Sequence, residues 1–195
     1  PGIDPQALLR ETISAVRAEP RITALLSAEI LAVSGYRGQF RTSVRTADGA
    51  QLELSHGAIV VATGAQQITP TEYLYGQHPR VITQRELEEK LADPLFADGL
   101  VGKRLTMIQC VGSREEGHPY CSRICCTEAL KNSLAVKRLA PDAQITVLYR
   151  DVRSYGFRES LSREARRQGV VFLEYDEAKK PDVSPAREGG MQVRV

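Results

Sequence analysis

Leu105-Thr106-Met107-Ile108-Gln109-Cys110 is a short apolar run that breaks into a polar loop, and the segments beyond it decide how the chain is built. Past the loop, Thr127 to Leu139 is strongly helical. Ala129, Leu130 and Leu134 set one side apolar, and the opposite side is charged. Pro141-Asp142 turns the chain, and Gln144-Ile145-Thr146-Val147-Leu148-Tyr149-Arg150 is the next strand. Strand, helix and strand make a βαβ unit. A further helix from Arg158 to Gln168, closed by Gly169, and a strand from Val170 to Tyr175 continue the alternation. The expected class is α/β.

The loop inside this unit carries all four cysteines of the 195-residue chain. Cys110-Val111-Gly112-Ser113-Arg114 opens it, and Pro119-Tyr120-Cys121-Ser122-Arg123-Ile124-Cys125-Cys126 closes it, in the pattern C-x10-C-x3-C-C. Four soft ligands on so short a span are the ligand set of an iron–sulfur cluster or a structural zinc. Two disulfides are arithmetically open, but adjacent Cys125 and Cys126 would each need a distant partner from neighbouring backbone positions. The place of the loop is informative as well. A dinucleotide-binding domain puts G-x-G-x-x-G between its first strand and helix. Cys110 to Gly117 holds no such fingerprint, so the close glycine approach and the free helix amides that a pyrophosphate needs are both replaced. Cys121 and Cys125, four apart on a nascent helix, face the same way while Cys126 points elsewhere. A cluster with separate iron corners takes that spread more readily than one tetrahedral ion. A cluster, a zinc ion and metal-free redox thiols remain the three readings.

Elsewhere the residues read as scaffold. Asp4 caps a helix that starts at Pro5, runs through Leu8, Leu9, Ile13 and Val16, and stops at Pro20. Ala28 to Val33, Phe40 to Thr46 and Gln51 to Leu54 form a small antiparallel meander with turns at Gly35–Gly38 and Asp48-Gly49. Ala58-Ile59-Val60-Val61-Ala62-Thr63-Gly64-Ala65 is a continuous apolar run, expected as a strand buried on both faces. Thr69 to Arg80 has no period. Thr83 and Glu86 make a capping box for a helix from Gln84 to Ala92, which Asp93-Pro94 ends. The three histidines, His56, His78 and His118, fall in loop-like surroundings.

Bulk properties bound the function. A hydrophobic content of 42%, a charged content of 26% and a formal net charge of +2 describe an ordinary globular chain. They favour neither nucleic acid nor an acidic membrane surface. No apolar run approaches the roughly 18 residues of a membrane span. Pro1-Gly2-Ile3-Asp4-Pro5 has no basic stretch followed by an apolar core, so no signal peptide is expected and the cytoplasm is the expected location. The chain lacks an initiating Met and starts inside a helix approach, as a piece of something longer would.

The sequence resembles the A subunit of heterodisulfide reductase and its relatives among the FAD-dependent pyridine nucleotide-disulfide oxidoreductases. The likeness is carried by Ile59 to Ala65, by Gln109 to Arg114, most closely by Pro119 to Cys126, and by Leu148-Tyr149-Arg150-Asp151-Val152-Arg153-Ser154-Tyr155-Gly156. It implies a thioredoxin-reductase-like core that binds FAD, together with several [4Fe-4S] clusters. Such proteins pass electrons between FAD, partner subunits and ferredoxin-like modules. Carried over, the cluster ligands are Cys110, Cys121, Cys125 and Cys126, and the residues against FAD are Thr63, Gly64 and Ala65. The family's own G-x-G-x-x-G for FAD and its ferredoxin-type cysteine runs are missing from this sequence.

The resemblance divides the chain into four parts. Residues 1–68 are the back of an FAD domain with its β-meander, and 69–103 are a linker with a short helix. Residues 104–180 are a degenerate Rossmann-like βαβ domain carrying the four cysteines, and 181–195 are a tail ending in a strand cut short. The implied role is relay of electrons between flavin and partner subunits, with ferredoxin or hydrogenase-type donors, by a piece that is not a complete catalyst alone. The competing roles are an NAD(P)-binding disulfide oxidoreductase domain with redox thiols and a zinc-stabilised interaction module. Arg114 and Arg123 stand where a cation would raise the cluster's reduction potential, or else form surface ion pairs.

Overall fold

The computed structural model of the chain describes residues 4–186 and 189–195. Pro1, Gly2 and Ile3, part of the stretch inspected for a signal peptide, lie outside the described residues, as do Arg187 and Glu188 in the tail. The chain is mixed α/β and divides into two compact units between Ala65 and Gln66.

The first unit opens with α1 (Pro5–Ala18). Asp4 accepts from the Gln6 amide and Pro5 occupies the first turn, which needs no N–H there. The meander follows as β1 (Glu29–Tyr36), β2 (Gln39–Arg45) and β3 (Gln51–His56), antiparallel in the order β1-β2-β3. β1 runs further than its alternation indicates, as far as Tyr36, so only Arg37 and Gly38 turn the chain. Gly35 therefore lies within a strand pair, opposite Phe40, at φ +91°. A Cβ there would stand 2.1 Å from the Gln39 carbonyl oxygen, so only glycine fits.

The run Ala58–Ala65 departs from expectation. It forms no strand, and Val60 and Val61 are 89% and 78% exposed. A strand is made by its neighbours, and the meander's three strands pair only with one another. With no parallel strand beside it among the described residues of this unit, the run joins no ladder.

The second unit is built on β4 (Arg104–Ile108), β5 (Gln144–Tyr149) and β6 (Val171–Glu174), parallel in the order β4-β5-β6. Before it come α2 (Gln84–Lys90) and α3 (Pro94–Asp98). The Thr83–Glu86 capping box is present, and the helix is shorter than its composition indicates. Asp93-Pro94, expected only to stop α2, starts α3 by the device used at Asp4-Pro5: the aspartate accepts from Leu95 N and proline takes the first turn.

Crossovers are α4 (Cys125–Leu139) and α5 (Glu159–Arg167), which pack against each other. α4 buries Ala129, Leu130, Leu134 and Val136 beside Met107, Ile145 and Val147 of the sheet. Among them Asn132, 1% exposed, donates to both the main-chain and side-chain oxygens of Gln84 at 2.9 Å, tying α4 to α2. The tail is a hairpin: β7 (Asp182–Pro185) pairs antiparallel with β8 (Met191–Arg194). The terminal segment expected as a cut-short strand thus has a local partner.

Gly49, at φ +88°, has open space where a Cβ would go. Gly49→Ala should therefore cost about 1–2 kcal/mol for its backbone conformation alone, and Gly35→Ala appreciably more, read as faster hydrogen exchange of the β1–β2 amides. In the second unit, Leu130→Ala should cost about 2–5 kcal/mol in urea unfolding, because its site is sealed on every side.

Candidate metal centre

β4 delivers its end to a fixed place. The Gln109 amide donates to the Leu148 carbonyl at 2.9 Å, continuing the ladder one residue past the strand. The Tyr175 hydroxyl donates to the Gln109 carbonyl at 2.6 Å from the end of β6. With both main-chain groups of Gln109 tied, the chain turns sharply. Cys110 adopts φ +63°, an uncommon conformation for a residue with a Cβ, and is 7% exposed. Gly112 and Arg114 repeat the left-handed backbone at +62°. Glu115 and His118 then exchange backbone hydrogen bonds around a tight turn, and the His118 ring lies 3.9 Å from that of Tyr120.

The remaining cysteines arrive with α4. Arg123 has φ +61° and its amide donates to Cys121 Sγ at 3.3 Å. The helix begins at Cys125, two residues earlier than its composition indicates, so Cys125 and Cys126 both lie in the first turn. No side chain caps this end, since Ile124 occupies the N-cap position. A helix N-terminus whose amides lack a side-chain partner is a favourable setting for thiolate. Cys121 and Cys125 are half-buried, Cys110 and Cys126 buried, and all four thiols are free.

Electrostatics differentiate them. Burial pushes the Cys110 thiol up, against the pull of Arg114. Cys125 is lowered to about 6, first by a hydrogen bond from Cys126, then by Ser122 and by the main-chain amides of Cys110 and Cys126. Cys126, the donor in that pair and itself buried, is raised. Cys110, Cys125 and Cys126 therefore feel one another directly.

A charged network stands behind the sulfurs. Arg114 Nη1 lies 3.8 Å from Cys110 Sγ and donates to Asp151 Oδ1. Arg153 Nε donates to Asp151 Oδ2 at 2.8 Å, and Arg153 is raised by Asp151 and, to a smaller degree, by Cys121. Burial works against ionisation of Asp151, but Arg153 and Arg114 together hold its carboxyl below the usual range. Cys126 Sγ stands 3.8 Å from the Asp151 carbonyl oxygen. Arg150 donates to the Arg114 carbonyl at 2.9 Å and pairs with Glu177.

Among the described residues, no three His, Cys, Asp or Glu side chains stand close enough together to hold a single metal ion. The buried side-chain polar atoms without a partner, again among the described residues, are Gln109 Nε2 and Oε1, His118 Nδ1 and Thr127 Oγ1. Gln109 precedes Cys110, His118 lies within the loop, and Thr127 follows Cys126.

Thr63, Gly64 and Ala65 belong to the other unit. They are exposed at the end of the irregular run, with Gly64 at φ +69° and open space where a Cβ would stand. Arg123, paired with Arg114 in the sequence reading, shares none of the contacts that Arg114 makes; its main-chain amide touches Cys121 instead. Sequence reasoning missed Asp151 and Arg153. The signal was available: both follow β5, the strand next to β4, and residues just past neighbouring parallel strands converge at one edge of a sheet.

No family model matches the chain. Curated relatives do. The chain is 40% identical over 140 residues to the A subunit of the H(2):CoB-CoM heterodisulfide,ferredoxin reductase of Methanothermobacter thermautotrophicus, which takes in 63% of this chain and 21% of that protein. It is 38% identical over 158 residues to the A subunit of the Ferredoxin/F(420)H(2)-dependent CoB-CoM heterodisulfide reductase of Methanosarcina acetivorans, covering 74% and 20%. It is 38% identical over 138 residues to the iron-sulfur A subunit of the CoB-CoM heterodisulfide reductase of Methanocaldococcus jannaschii, covering 63% and 21%. In each case the match spans about a fifth of the relative's length. Over the matched residues the chain is similar to the A subunits of heterodisulfide reductases.

Proposed function

We propose that the chain holds a [4Fe-4S] cluster on Cys110, Cys121, Cys125 and Cys126, and serves as an electron-relay segment of a heterodisulfide-reductase-type oxidoreductase. The observation that supports this reading is that four free thiols lie on the one segment from the end of β4 to the first turn of α4. Thiolates are the ligands such clusters take. Relatives at 38% identity carry the words iron-sulfur in their names.

The residues fit the group. A cluster's sulfides accept hydrogen bonds, and Gln109 Nε2 and Thr127 Oγ1 are donors left without partners beside the ligands. When bound, the cluster supplies one-electron storage and transfer. The polypeptide's part is to hold the thiolates, to bury two of them, and to set cations and amides around them. An NAD(P) site fits less well, since cysteines stand where the phosphate-binding glycines would be.

In the longer protein that the relatives exemplify, residues 1–68 form the back of an FAD domain of thioredoxin-reductase type. There Thr63, Gly64 and Ala65 would lie against the flavin. Residues 69–103 link it to a degenerate Rossmann-like domain over 104–180, and 181–195 form a tail. The partners are the other subunits of such a complex, in the cytoplasm, with ferredoxin or hydrogenase-type donors. Ferredoxin, H(2) and F(420)H(2) figure in the relatives' names. No helix among the described residues is long and apolar enough to cross a membrane.

Anaerobic reconstitution should give about four irons and four acid-labile sulfides per chain with a broad visible absorption. Cys121→Ser should abolish that spectrum. Zinc as the sole metal taken up, or an unchanged spectrum in the Cys121→Ser protein, would overturn the assignment. Separately, the chain alone should bind FAD weakly or not at all in a fluorescence titration. Tight binding would show that residues 1–68 do not need the rest of an FAD domain.

A further inference from the structure

Asp151 has no part in the function proposed above, yet it contacts Arg114, Arg153 and Cys126. Its carboxylate is divided between two arginines: Oδ1 accepts from Arg114 Nη1, and Oδ2 accepts from Arg153 Nε at 2.8 Å. The same Nη1 of Arg114 faces Cys110 Sγ at 3.8 Å. The main-chain carbonyl of Asp151 faces Cys126 Sγ at 3.8 Å. Arg114 is 19% exposed in its side chain, and its backbone, at φ +62°, is pinned by Arg150 through the Arg114 carbonyl. These contacts bring β5's trailing residues against a loop that follows β4.

Long cationic side chains lose rotamer freedom when held in one place, and an arginine left to itself turns toward water. The Arg114 nitrogen that faces Cys110 is also the one the Asp151 carboxylate holds. We propose that Asp151 is a positioning residue for the metal centre: it holds Arg114 against Cys110, with Arg153 on its other carboxylate oxygen, so that a cation bears on the sulfur of a ligand. This rests on the cluster reading. Reduction adds a negative charge to a cluster, and positive charge or donors at its thiolates favour that state. Asp151 thus raises the reduction potential through the arginine it places, although its own charge acts in the opposite sense.

That opposition makes the sign of one measurement decisive. The test is EPR-monitored redox titration of the anaerobically reconstituted chain, with iron and sulfide assayed on each variant. Asp151→Ala should lower the potential, by on the order of a tenfold change in the reduced-to-oxidised ratio at fixed potential, or ~59 mV for one electron. Arg114→Gln should shift it in the same direction, and the double variant should fall no further than the larger single. Asp151→Glu should retain most of the wild-type value. A rise in Asp151→Ala would mean that the carboxylate acts only through its own charge, and would overturn the proposal, as would an unchanged potential at full iron content. If Asp151→Ala does not load, Asp151→Asn decides: a lowered potential supports the placement of Arg114, and an unchanged one refutes it. Failure of the wild-type chain to take up iron would instead sink the cluster reading, and the proposal with it.

Discussion

The pairing of β4 with β5 is the constraint on which the second unit depends. The two strands run parallel and in register from Arg104 opposite Gln144 to Ile108 opposite Leu148. The Gln109 amide extends the ladder to the Leu148 carbonyl. That register sets Cys110 level with Arg150, so the loop after β4 and the residues after β5 leave the sheet side by side. A slip of one residue would turn Met107 out of the core and carry the cysteine away from Asp151. Buried Ile145, Val147 and Leu148 on the central strand make such a slip costly. The hydrophobic core and the geometry of the centre are therefore the same fact seen from two ends of a strand.

Around that register the loop is held by groups outside it. Tyr175 reaches the Gln109 carbonyl from the end of β6, Arg150 takes the Arg114 carbonyl, and Lys180 pairs with Glu115 at 2.7 Å. Residues that follow β5 and β6 thus fix one loop. Left-handed conformations at Cys110, Arg114 and Arg123 persist where the surroundings over-determine them, and all three lie within the cysteine loop. Burial raises the Cys110 thiol while Cys126 lowers Cys125, so these thiols are chemically unequal.

Much of this was legible in the residues. Apolar runs at 105–110 and 144–150 separated by a helical segment could only be a βαβ unit, and Asp4-Pro5, Asp48-Gly49 and the Thr83–Glu86 box gave local structure outright. What misled is equally physical. Ala58–Ala65 has the composition of a buried strand, but composition cannot supply the neighbouring strand that buries it. Asp93-Pro94 both stops one helix and starts the next, and proline alone does not tell which. The start of α4 at Cys125 was hidden because cysteines have weak helix preference, although that start places two sulfurs in the first turn. Asp151 was hidden for a different reason: its importance lies in contacts 25 and 37 residues away in sequence, to Cys126 and Arg114. Periodicity does not report such contacts; only topology does.

The scaffold also explains how one arrangement of strand, loop and helix serves different chemistry. In a phosphate-binding unit, glycines bring the backbone close and the helix amides meet an anion from outside. Here the strand and helix keep their places, but the helix opens with Cys125 and Cys126, without a side-chain cap. Cys125 is the thiol that falls to about 6, first through the hydrogen bond from Cys126, then through Ser122 and the main-chain amides of Cys110 and Cys126. The loop carries Cys110 and Cys121 between β4 and that helix start, and Arg114, bound by Asp151, sets a cation beside Cys110.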